Sequence, residues 1–126
     1  MEIKLKLSDV LNLNQTLKVI IDDVEAKIDS VFKFKLLGIM KSIENHTANF
    51  EIIRNEKINE YGKETSDGHI SIDKEDVEAV KKFNNDLMEV INSEVSINIT
   101  KLKSSDVFNK GLKAEYLIGL YPIIEE

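Results

Sequence analysis

The sequence predicts an α+β fold. A long helix pairs with a second helix, beside a small, mostly antiparallel three-stranded sheet and a short C-terminal helix. Three observations carry this. Apolar residues recur at spacings of three and four through Phe32, Leu36, Ile39, Ile43, Phe50 and Ile53, which places one apolar stripe along a helix. Apolar and polar residues alternate at Ile3, Leu5 and Leu7, again at Ile70 and Ile72, and most clearly at Val95, Ile97 and Ile99, as in half-buried strands. Chain-breaking residues are few and fall between these patterns: Gly62, Asp67-Gly68 and the single proline, Pro122.

The first element is a strand from Glu2 to Leu7, with Lys4 and Lys6 on its polar face. Ser8 or Asp9 then suits the cap of a helix that packs through Val10, Leu13, Leu17, Ile20 and Val24. The long helix runs from about Val31 to Tyr61, with Gly38 its only irregular residue. Its length is about 45 Å at 1.5 Å per residue. Asp29 and Ser30 fit a break before it, although the helical phase also allows one continuous helix from Asp9 to Gly62. Gly62 suits a helix end. Asp67-Gly68 then turns the chain into the short strand at Ile70 and Ile72. Asp73 is the expected cap of a helix whose first turn is Lys74-Glu75-Asp76 and whose packing face is Val77, Val80, Phe83, Leu87, Val90 and Ile91. After the strand at Val95 to Ile99 comes a polar loop, Ser104 to Gly111, with Val107 and Phe108 tucked in. The last helix runs from about Lys113 to Leu120 and stops before Pro122.

Residues 1-126 read as a single α+β domain. The hydrophobic fraction of 42% suffices for a core. With no cysteine, disulfides and thiolate metal sites are excluded. No apolar run reaches the length of a membrane span, and the start MEIKLKLSD lacks a signal-peptide core. A cytoplasmic protein is expected. The formal net charge of −6 makes a phosphate backbone a poor partner. Arg54 is the only arginine, which weakens any nucleotide-binding reading.

No pattern demands catalysis. His69, Ser71 and Asp73 have the residue types of a hydrolase triad, but same-face neighbours on a strand sit about 6.6 Å apart, against the roughly 3 Å that a nucleophile and its base require. They are expected to be an exposed polar face. His46 lies on the long helix's stripe with Asn49 and Phe50 where a second ligand would stand, so it reads as packing or as a register-setting polar residue. The acidic group Asp22, Asp23 and Glu25, joined by Asp29, lacks the spacing and glycine of a calcium loop and reads as a solvated helix face. No cofactor and no metal are expected. Phe32, Phe34, Phe50 and Phe83 are assigned to the core. Tyr61, Tyr116 and Tyr121 are left half exposed.

The order of elements is similar to that of a family of small proteins of unknown function encoded by phages and prophages of low-GC Gram-positive bacteria. The likeness spans roughly residues 1 to 124. It rests on a long helix ending in EKINEYGKE, the turn-strand DGHISI, the run VKKFNNDLMEVINSEVSINITKLKSSDVF and the closing KAEYLIGLYPII. Relatives often have a proline at the start of the long helix, where this chain has Lys27-Ile28-Asp29-Ser30. The resemblance implies a phage product made in the cytoplasm of the infected bacterial host, and it supplies no catalytic residues.

The function expected is therefore an acidic, non-catalytic binding protein rather than an enzyme. Its partner is another protein, and the leading form is a stoichiometric inhibitor of a host defence complex, CRISPR-type or another nuclease. The alternatives are a tail or virion accessory, an assembly chaperone, or a sponge for a nucleotide signal. Neither direct nucleic-acid binding nor membrane binding is expected. Partner-binding residues are expected among Asp22, Asp23, Glu25, His46, Ile53 and Tyr61. A homodimer is a further expectation. The helix from Asp76 to Asn92 is about 20 Å shorter than the long one, so a second copy, antiparallel across His46, would cover the excess.

Overall fold

The computed structural model describes residues 1–125. Strand β1 (Glu2–Lys6) runs directly into helix α1 (Leu7–Asp22). The expected caps, Ser8 and Asp9, lie inside that helix. Lys6 holds the N-cap position with no side-chain hydrogen bond, because the strand enters the helix without an intervening loop. A seven-residue break follows. Within it Lys27 takes the left-handed conformation at φ 47°, so α1 and the long helix α2 (Ser30–Tyr61) are separate. The Asp29 side chain caps α2, accepting from the Phe32 N–H at 2.8 Å.

Helix α2 has 32 residues, about 48 Å at 1.5 Å per residue. Gly62 ends it, with φ −86° and ψ 171°. Its need for glycine comes from crowding, not from a left-handed turn. A Cβ there would meet the Ile58 carbonyl and lie 2.9 Å from the Ser71 carbonyl oxygen. A small antiparallel hairpin follows, β2 (Lys63–Glu64) with β3 (Ile70–Ser71). Helix α3 (Val77–Ile91) is capped by Asp76, which accepts from the Ala79 N–H at 3.1 Å. Asp73, the expected cap, instead accepts from the Glu75 N–H at 3.0 Å in a turn before the helix.

Strand β4 (Glu94–Asn98) pairs antiparallel with β1, with Ile3 opposite Ile97 and Leu5 opposite Val95. Beyond it β5 (Leu102–Lys103) pairs in parallel with β6 (Ile124–Glu125). The polar loop expected at Ser104 contains a short helix, α4 (Ser104–Phe108), which buries Val107 but leaves Phe108 exposed. Helix α5 (Ala114–Leu120) continues into a 3-10 turn, Tyr121–Ile123.

The α+β class and the dominance of helix are as expected. The single three-stranded sheet is not: the described residues form three separate two-stranded ladders. The strand at Ile70 is drawn to Lys63–Glu64 by the turn at Asp67-Gly68, and it never reaches β1 or β4.

The core is confined to part of the chain. Its buried residues come from α1 (Val10, Leu13, Leu17, Ile20), the first half of α2 (Phe32, Leu36, Ile39, Ile43) and the C-terminal segment from Ile97 to Ile124. No residue from 44 to 96 is fully buried. Helix α1 covers the first half of α2, and α3 covers the second half, where Lys57 and Tyr61 both reach Asp86. The long helix is thus covered from both ends within its own chain. Phe32 is core as expected, Phe50 and Phe83 are half-buried, and Phe34 is exposed.

Candidate interaction surface

The residues expected to bind a partner occupy three places. At the end of α1, Asp23 is a fastener. Its Oδ2 accepts from the Tyr116 hydroxyl at 2.7 Å and its Oδ1 from the Glu25 N–H at 3.0 Å, with Lys113 Nζ 3.9 Å away. These bonds, the Tyr116 hydroxyl foremost, hold its carboxyl below the usual carboxylate range. Asp29 is held down likewise, by Lys110 first and by the Phe32 N–H it caps. The Lys110 ammonium also lies over the Phe32 ring, 5.3 Å from its centroid. The acidic cluster read as a solvated face is therefore half structural. Asp23 and Asp29 pin the α1–α2 connection to the C-terminal segment, while Asp22 and Glu25 remain exposed.

His46 sits at mid-helix, half-buried, with Nε2 3.1 Å from the Ser96 carbonyl oxygen. A carbonyl only accepts, so Nε2 carries the proton in this contact. Ile53 and Tyr61 lie at the far end of α2. Ile53 is half-buried beside α3, and the Tyr61 hydroxyl donates to Asp86 Oδ2 at 2.6 Å. Asp86 also receives Lys57 at 3.4 Å. These contacts lower the Asp86 carboxyl, through Tyr61 chiefly, and raise Lys57, through Glu60 chiefly. The structure does not bring the six residues into one site, because the length of α2 separates Asp23 from Tyr61.

A different surface emerges from the second half of α2, the hairpin and α3, which together form an arm. Between residues 51 and 91 stand eleven Asp and Glu against six Lys and Arg; the rest of the chain has twelve against eleven. All but one unit of the net charge of −6 thus belongs to the arm. It concentrates further at the tip, residues 60 to 78, with seven acids against two lysines. All of those acids but the half-buried cap Asp76 are exposed. Val77, 74% exposed, and Ile70, 45% exposed, stand among them. His69 and Ser71 are at this tip on an exposed hairpin, and Asp67 is engaged by the Thr65 hydroxyl and the His69 N–H. Composition showed the acidity of the chain; only the fold shows that it is gathered at one end.

Two other surfaces stand out. Val31, Phe34 and Leu37 form an exposed apolar ridge at spacings of three on α2. A groove of about 420 Å³ between α2 and the segment joining β4 to β5 is lined by Lys35, Gly38, Ser42, Thr100, Lys101 and Lys103. Lys35 is paired there with Asp106 at 3.6 Å. Among the described residues no three His, Asp or Glu gather as metal ligands, and no helix is long and apolar enough to cross a membrane.

Comparison with protein-family models, curated proteins and solved structures finds no match to this chain.

Proposed function

We propose that the chain is a phage-encoded, non-catalytic binding protein that presents its acidic arm to a basic surface of another protein in the cytoplasm of the infected host. The observation that carries this is the segregation of all but one unit of the net charge onto residues 51–91, a segment with no fully buried residue. Charge gathered on one exposed end gives a field that a lysine- and arginine-rich partner senses before contact. A nucleic-acid channel of a host defence nuclease, CRISPR-type or other, is such a surface, and occupying it would inhibit the nuclease stoichiometrically. Val77 and Ile70 supply apolar contacts within the acidic rim.

The test is capture from host lysate by the unmodified protein and by a tip variant carrying Glu64→Lys, Asp67→Lys and Glu75→Lys. A nucleic-acid-binding host protein is expected on the unmodified chain alone, released by salt or by competing DNA. Equal capture by both proteins would sink the reading. Capture of virion components through Val31, Phe34 and Leu37 would favour the tail accessory or assembly chaperone, to which that ridge is suited. A nucleotide sponge would have to use the lysine-lined groove, where no arginine stands.

A further inference from the structure

We propose that β1 is the seam of a symmetric dimer, in which its open edge pairs antiparallel with β1 of a second copy. This stands independently of the acidic arm. The register with β4 fixes which groups are free. The Leu7 N–H donates to the Ser93 carbonyl at 2.9 Å, and the Ile99 N–H donates to the Met1 carbonyl at 3.0 Å. Odd-numbered residues of β1 therefore direct their main-chain groups toward β4. Glu2 and Lys4 direct theirs the other way. Among the described residues no main-chain or side-chain group bonds to those outward N–H and C=O groups. An unpaired row of this kind is a template for another strand.

Edge lysines ordinarily discourage such pairing. Here the charge order selects a partner instead. In the antiparallel register with Ile3 opposite Ile3 of the second copy, Glu2 faces Lys4 and Lys4 faces Glu2, so both outward charged pairs are complementary. Leu5 faces Met1 on the opposite, core side, where Ile3 and Leu5 already pack and Met1 is 77% exposed. A parallel pairing would set Glu2 against Glu2 and Lys4 against Lys4. A slip of one residue would put core side chains on the solvent face. The product is a four-stranded sheet, β4-β1-β1-β4, with its apolar side continuous across the two-fold axis.

The opposite edge explains why the sheet would stop there. Ser96 lies opposite Lys4, so its carbonyl points outward from β4, and His46 occupies it from α2. One edge is blocked and one is open, which gives a closed pair and not a fibre.

Sedimentation equilibrium on tag-free protein, from roughly 10 to 500 µM to span a weak interface, reads the outcome. The mass is expected to rise from one chain of 14.4 kDa toward two and no further. Glu2→Lys places lysine against lysine twice and should raise the dissociation constant about tenfold or more, as should Lys4→Glu. The double variant, Glu2→Lys with Lys4→Glu, restores complementarity and should dimerise like the unmodified chain. Both side chains are exposed, so circular dichroism should be unchanged in all three. A single chain mass throughout for the unmodified protein overturns the proposal. So does a dimer indifferent to these charges. A dimer lost only with Ile53→Glu overturns it too and moves the seam to α2.

Discussion

The Tyr116 hydroxyl donates to Asp23 Oδ2 at 2.7 Å across 93 positions of sequence. Tyr116 is only 6% exposed, and the hydrogen bond to Asp23, then burial and the negative charge of that carboxylate, push the phenol up to about 12. The bond ties the end of α1 to α5 and closes the core at the point where the chain turns toward α2.

Replacing Tyr116 by Phe should therefore lower the melting temperature at neutral pH. Asp23 is held below its ordinary value of 3.8, so its contribution is complete above that value and is lost as pH falls through the lower, folded one. The gap between Tyr116→Phe and the unmodified protein should narrow on the acid side. Melts taken at pH 7 and near pH 2.5 measure it. A gap that stays constant would mean that the phenol stabilises by packing alone.

Core and arm should respond differently to truncation. Leu13 is fully buried, and Leu13→Ala should cost about 2–5 kcal/mol in urea unfolding. Leu87 is only half-buried, and Leu87→Ala should cost roughly 1–2 kcal/mol. Hydrogen exchange should follow the same division, with amides of α3 exchanging well before those of α1. Equal protection in both helices would show the arm to be covered by something beyond the single chain.

Lys27 offers a gain. Its φ of 47° puts a Cβ in the left-handed region, which costs an ordinary residue about 1–2 kcal/mol. Glycine removes that cost but loses more chain entropy on folding. Lys27→Gly should raise stability by a net of about 0.5–1 kcal/mol, read from the urea midpoint at unchanged slope. A lower midpoint would show that the lysine side chain supports the α1–α2 connection.

Where sequence succeeded, one period ran long enough to leave no alternative. The stripe from Phe32 to Ile53 and the alternation at Val95 to Ile99 both became the elements they predicted. Failures came where two residues of the same kind competed. Asp73 and Asp76 can each cap a helix, and nothing local says that Asp73 prefers its own turn. The Ile70 strand had no visible partner, because Lys63–Glu64 shows no alternation of its own and pairs only through the turn between them. Among the candidate residues, His46 was legible as an interface polar group. The roles of Asp23 and Asp29 were not, since Tyr116, Lys110 and Lys113 reach them from the other end of the chain.

A nearly neutral body with the net charge concentrated on one arm makes the molecule a permanent electric dipole lying roughly along α2. The peptide dipoles of α2 add to it, because their negative end is also at the tip. In the field of a positive surface such a molecule experiences a torque as well as an attraction. It would rotate during approach and arrive tip first, so most collisions would begin in the useful orientation. Salt would screen that alignment beyond about 8–10 Å at physiological strength, slowing encounter as well as loosening the finished contact.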